Sequence, residues 1–113
     1  MGINEVFAGV PVADYESAVA WYERLFGRPP DFFPHSTEAV WKGAGNGWVY
    51  VVEDAERAGR ALLTFLVDDL DEELAGLEER GIETETVDEI PGKVRKAAVT
   101  DADGNKITFG QPA

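Results

Sequence analysis

The chain has no cysteine and a single histidine among its 113 residues. Without cysteine there is no disulfide, no thiolate nucleophile and no Cys-based zinc or iron–sulfur site. With His35 as the lone imidazole, the multi-histidine sets that transition metals favour cannot form within one chain, and two imidazoles meet only across a pair of chains. Basic residues are also scarce, with 10 Lys and Arg against 22 Asp and Glu and a net charge of −12. That balance argues against a nucleic-acid partner, whose phosphates must be neutralised by cations. The acidity either steers a cationic ligand towards the chain or only keeps it soluble. No apolar run approaches the roughly 18 to 20 residues that span a bilayer. Glu5 interrupts the opening before a signal-like apolar core can build, so a cytoplasmic protein without membrane contact is expected.

What is present suits a folded globule, 44% apolar and 11% aromatic, of a length suited to one domain, residues 1–113. The stretch from Val94 to Gln111 organises the reading. Two β-type runs, Val94–Thr100 and Lys106–Gln111, flank Asp101-Ala102-Asp103-Gly104-Asn105, the composition of a hairpin turn with Gly104 at positive φ. Ile107 and Phe109 then share one face of the second run, and Lys106 and Thr108 the other.

The chain opens with a strand in which Val6, Ala8, Val10 and Val12 form one face and Phe7, Gly9 and Pro11 the other. Asp14 is placed to cap a helix carrying Ala18, Val19, Tyr22, Leu25 and Phe26 at amphipathic spacing, which Gly27 ends and Pro29-Pro30 keeps from resuming. Strands are predicted around Phe32–Phe33, at Glu38–Lys42 and at Trp48–Glu53. After a charged loop the order repeats. A strand over 61–67 leads to a helix capped by Asp69, with Leu70, Leu74 and Leu77 as its buried stripe, and Gly81 closes it. Strands near Glu83–Val87, Val94–Thr100 and Lys106–Gln111 follow. Val12-Ala13-Asp14 overlays Val67-Asp68-Asp69, and Gly27 overlays Gly81. The chain is thus read as α+β, two βαβββ modules spanning about 1–57 and 60–113, which pair within the chain or with those of a second copy.

These segments, with Trp21-Tyr22 close to Leu25-Phe26-Gly27 and the Asp-x-Asp-Gly-Asn turn, resemble the vicinal oxygen chelate superfamily of glyoxalases, bleomycin-resistance proteins and extradiol dioxygenases. The resemblance implies a curved mixed sheet around a cavity and a homodimer. In the family's metalloenzymes His and Glu from four strands hold a divalent ion. Carried over, those positions fall at Phe7, near Tyr50 or Val52, near Leu62 and at Thr108. None of them is a firm metal ligand, so no metal and no cofactor is expected, and metal-dependent catalysis is disfavoured.

Phe7, Trp48, Tyr50, Val52, Leu62, Thr64 and Thr108 are candidates to line an aromatic, lightly polar cavity. The alternative is that they fill a closed core or a dimer interface, and Trp41 on a neighbouring strand carries the same ambiguity. His35, the only imidazole, is the acid–base candidate, against its being an ordinary loop histidine. Arg57 and Arg60 flank the crossing between modules, where they could hold an anionic group. The expected function is metal-independent binding of a drug-like or metabolite small molecule. The alternative is a glyoxalase- or dioxygenase-like enzyme with a divergent site.

Overall fold

A computed structural model of the chain describes residues 2–85 and 87–113. The element order is β1 (Val6–Val12), α1 (Tyr15–Phe26), β2 (Phe32–His35), β3 (Glu38–Lys42), β4 (Gly47–Glu53), β5 (Leu62–Leu66), α2 (Leu70–Glu79), β6 (Asp88–Ile90), β7 (Val94–Thr100) and β8 (Lys106–Pro112). This is βαβββ twice. Each module forms its own four-stranded mixed sheet, ordered β1-β4-β3-β2 and β5-β8-β7-β6. In each, the first strand lies parallel to the last, with Phe7 opposite Trp48 and Thr64 opposite Thr108.

Alternation along the strands decides what goes inside. Val10, Val12, Trp41, Val49 and Val51 from the first sheet, and Val99, Ile107 and Phe109 from the second, pack against Tyr22 and Leu25 of α1 and Leu70 and Leu77 of α2 in one core. Helices therefore cover one face of both sheets. The other faces stay open, with Phe7, Leu62 and Leu66 at 48%, 81% and 68% exposure.

The turn between β7 and β8 ties the modules together. One oxygen of Asp101 accepts the backbone N–H groups of Asp103, Gly104 and Asn105 at 2.9–3.0 Å. The other accepts the Tyr22 hydroxyl at 2.7 Å and the Asn105 amide at 2.8 Å. Asn105, fully buried, also donates to the Pro11 carbonyl at 2.8 Å and accepts Ala61 N–H at 2.9 Å. Gly104 has φ 103, the positive value that its place in the turn requires. A second tie joins the helix ends, where Arg80 donates to the carbonyls of Arg24 and Leu25.

Three local expectations are corrected. Asp14 occupies the N-cap of α1 with extended backbone but its carboxylate caps nothing. Glu53 instead accepts the N–H of Tyr15 at 3.2 Å, so a neighbouring strand supplies the acceptor. The strand expected at Glu83–Val87 is absent from Glu83–Glu85 and Val87, while Thr86 lies outside the described residues. The second strand of module two is instead Asp88–Ile90, and Ile90-Pro91-Gly92-Lys93 turns it into β7. Pro91 and Gly92 (φ 73) at the centre, with Lys93 N–H bonded to the Ile90 carbonyl at 3.0 Å, fit a type II turn. Finally, His35 ends β2 rather than lying in a loop.

Burial first, and then the hydrogen bond to Asp101, push the Tyr22 phenol far above its ordinary range. The neutral phenol is thus favoured in the folded chain, while an unfolded tyrosine ionises near pH ~10. Its stabilisation is complete below about pH 10 and is lost as pH rises beyond it. Tyr22→Phe should cost about 1–3 kcal/mol in urea unfolding at neutral pH and should flatten the alkaline decline. Asn105→Ala, which orphans Pro11 C=O and Ala61 N–H, should cost about 2–3 kcal/mol or more.

Candidate functional site

The site starts from a missing side chain. Gly9 lies mid-strand in β1, and a Cβ placed there would come within 2.5 Å of Tyr50 Cζ and Oη. Glycine therefore lets the Tyr50 ring lie across β1 from β4. Tyr50, Gly9, Pro11 and Val52 line a cleft of about 440 Å³ on the open face of module one, closed at one end by Asp54, Arg57, Arg60 and Ala61 of the crossing loop.

Beside it lies an aromatic group. Phe7 and Trp48, register partners on β1 and β4, stack with centroids 5.6 Å apart and planes at 8°. Phe32 meets Trp48 edge-on at 5.8 Å, Lys42 Nζ sits 5.7 Å from the Trp48 ring, and Glu5 accepts the indole N–H at 3.2 Å. Such a surface offers flat apolar contact with a few polar handles. Phe32 did not emerge from the sequence as a site residue, although its place on an exposed edge strand put an aromatic where no core needs one.

The remaining candidates fall elsewhere. Trp41 is fully buried on the helix side, its ring 5.0 Å from Phe26 and its N–H donated to the Arg28 carbonyl at 3.0 Å. It is a core residue, because its odd position on β3 puts it on the face of Val49 rather than of Tyr50. Leu62, Thr64 and Thr108 share the open face of module two. Thr64 lines a second cleft of about 440 Å³ with Leu66, Lys42, Gly43 and Ala44. One chain thus does not bring the two halves of the expected set into one cavity.

His35 is half-exposed, with Nε2 2.9 Å from Glu38 and Nδ1 facing the N–H of Thr37 at 3.3 Å. That arrangement fits the tautomer with hydrogen on Nε2. His35 lines neither cleft. The positions to which the family resemblance carries the metalloenzymes' ligands hold Phe7, Tyr50 or Val52, Leu62 and Thr108, which supply no imidazole or carboxylate. Among the described residues no group of three or more His, Cys, Asp or Glu could hold an ion. The donor set does not fit a divalent metal. Among the described residues no helix is long and apolar enough to cross a membrane.

The sequence profile of the glyoxalase/bleomycin resistance protein/dioxygenase superfamily matches residues 29–109, and the chain belongs to that superfamily. A glyoxalase/bleomycin resistance protein from Catenulispora acidiphila is 44% identical over 96% of this chain and 98% of its own, with a TM-score of 0.91. An antibiotic-binding protein from a Streptomyces species is 27% identical, with 100% and 99% covered and a TM-score of 0.78. A lactoylglutathione lyase from Agrobacterium tumefaciens shares the fold at 19% identity, with 94% and 91% covered and a TM-score of 0.77. No curated protein matches the chain. A binder and a lyase fit the backbone equally well, so the side chains must decide the function.

Gly9→Ala tests the cleft. The added methyl meets the far end of a side chain, so Tyr50 should swing away while stability changes by no more than about 1 kcal/mol. Loss of the proximity between the Tyr50 ring and residue 9 in NMR, with the chain still folded, is the expected result.

Proposed function

We propose that this protein is a metal-independent small-molecule-binding member of the superfamily, which sequesters a drug-like or metabolite ligand without making or breaking a bond. The stacked Phe7–Trp48 pair carries this reading, because it sets two parallel aromatic rings on the open face of module one, beside the cleft lined by Tyr50 and Val52. Stacking aromatics bind planar molecules and do not activate water or polarise a carbonyl. The antibiotic-binding relative lends support.

We also propose that it acts as a homodimer in the cytoplasm. Leu62, Leu66 and Phe7 lie open on strands that are otherwise well packed, and exposing them together is unfavourable by the ordinary cost of wetting apolar surface. A second copy laying its module two over module one would cover these residues. It would also join Thr64 and Thr108 to the aromatic face, completing the set that one chain leaves divided.

The test is titration with metal-free bleomycin and a panel of planar aromatic compounds, following tryptophan fluorescence and recovering each compound by mass spectrometry. Saturable quenching with the compound returned intact is expected, and Trp48→Ala should weaken binding by about tenfold or more. Chemical alteration of the compound would make the protein an enzyme, and absence of saturation throughout would reject binding. Sedimentation should show a dimer that Leu62→Asp dissociates; a monomer at micromolar concentration would contradict the assembly.

A further inference from the structure

Arg60 is positioned by the fold and, among the described residues, its side chain has no hydrogen-bond or ion-pair partner. It shares the cleft with Arg57, Asp54 and Tyr50. Arg57 is committed to Asp54, with Nη1 on one carboxylate oxygen at 3.1 Å and its backbone N–H on the other at 3.3 Å. That pairing neutralises Asp54, the only carboxylate lining the cleft among the described residues. Arg60 has no carboxylate within salt-bridge distance among the described residues, so the cleft keeps a net positive charge.

The backbone that carries Arg60 is fixed on both sides. Gly59, at φ 87, packs so closely on the Asp103 carbonyl that a Cβ there would collide with it. Ala61 donates to Asn105 Oδ1 at 2.9 Å and accepts the N–H of Lys106 at 3.0 Å. Binding at Arg60 therefore requires little ordering of the loop. On a chain of net charge −12, long-range repulsion disfavours anions, and only a local uncompensated guanidinium can reverse that preference.

We propose that the ligand of this cleft is an anionic aromatic molecule, with its carboxylate, sulfonate or phosphate against Arg60 and its ring against Tyr50 and Val52. This rests on the small-molecule-binding function proposed above and adds the ligand's charge class, opposite to the one that overall acidity would favour.

Two fluorescent probes with the same ring system separate the claims: the anionic anilinonaphthalene sulfonate and the neutral N-phenylnaphthylamine. The sulfonate should bind about tenfold more tightly. Arg60→Gln should erase that preference while leaving the neutral probe's affinity and the thermal midpoint unchanged, and Tyr50→Ala should weaken both probes. Equal affinities in the unaltered protein, a preference that survives Arg60→Gln, or sulfonate binding indifferent to Tyr50→Ala would overturn the anionic assignment. Saturable binding of the neutral probe alone would overturn it while leaving small-molecule binding intact, whereas binding of neither probe would remove both.

Discussion

The buried carboxylate of Asp101 is the constraint on which the two modules depend. A carboxylate at 8% exposure is costly unless its lone pairs are filled. Here five donors fill them, three from its own turn, one from Asn105 and one from Tyr22 on the first helix. Asn105 then carries the network on to Pro11 at the end of β1 and Ala61 at the start of β5. A polar turn that could have been solvated on the surface instead fixes the angle between two sheets. No buried side-chain nitrogen or oxygen among the described residues lacks a partner, which is the condition under which such a network supports a fold.

The same network sets the cleft. It pins the carbonyl of Pro11, which lines the floor, and the backbone of Ala61, which follows Arg60. The wall of the site and the joint between modules are therefore one piece of structure. By contrast the open sheet faces are held only by their own ladders. Rigid backbone with uncovered apolar side chains is the signature of a surface shaped to receive something, since an uncommitted face would be expected to carry polar residues at these alternate positions.

Much of the fold was legible in the residues, because periodicity and glycine placement are local signals. Val10 and Val12 inside against Phe7 and Gly9 outside follows from alternation alone, and Gly27, Gly81 and Gly104 all take positive φ where helix and turn endings required it. The site was only partly legible, since Phe7, Trp48, Tyr50 and Val52 lie on the open face while Trp41 went to the core. Parity on β3 distinguishes Trp41 from its neighbours, but it helps only once the register with Val49 is known. The hairpin at Pro91-Gly92 was missed for another reason. Its strand is three residues of mostly charged sequence, Asp88–Ile90, and carries no periodicity to detect. Long-range partners such as Glu53 for Tyr15 have no local trace at all.

Charge placement separates the charge class proposed for the ligand from the acidity of the whole chain. Acids that do not line the cleft include Asp71, Glu72 and Glu73 in the first turn of α2, facing the positive end of the helix dipole, and Asp31 in an exposed pair with Arg28. A charge paired at the surface contributes little to the potential inside a cleft a Debye length away, roughly 8 Å at physiological salt. What a bound molecule feels is set by the few groups lining its site. There the ledger is two guanidiniums against one carboxylate, with that carboxylate already bonded to one of them. The sign of the chain and the sign of its cleft are therefore separate properties, and the proposed recognition rests on the second.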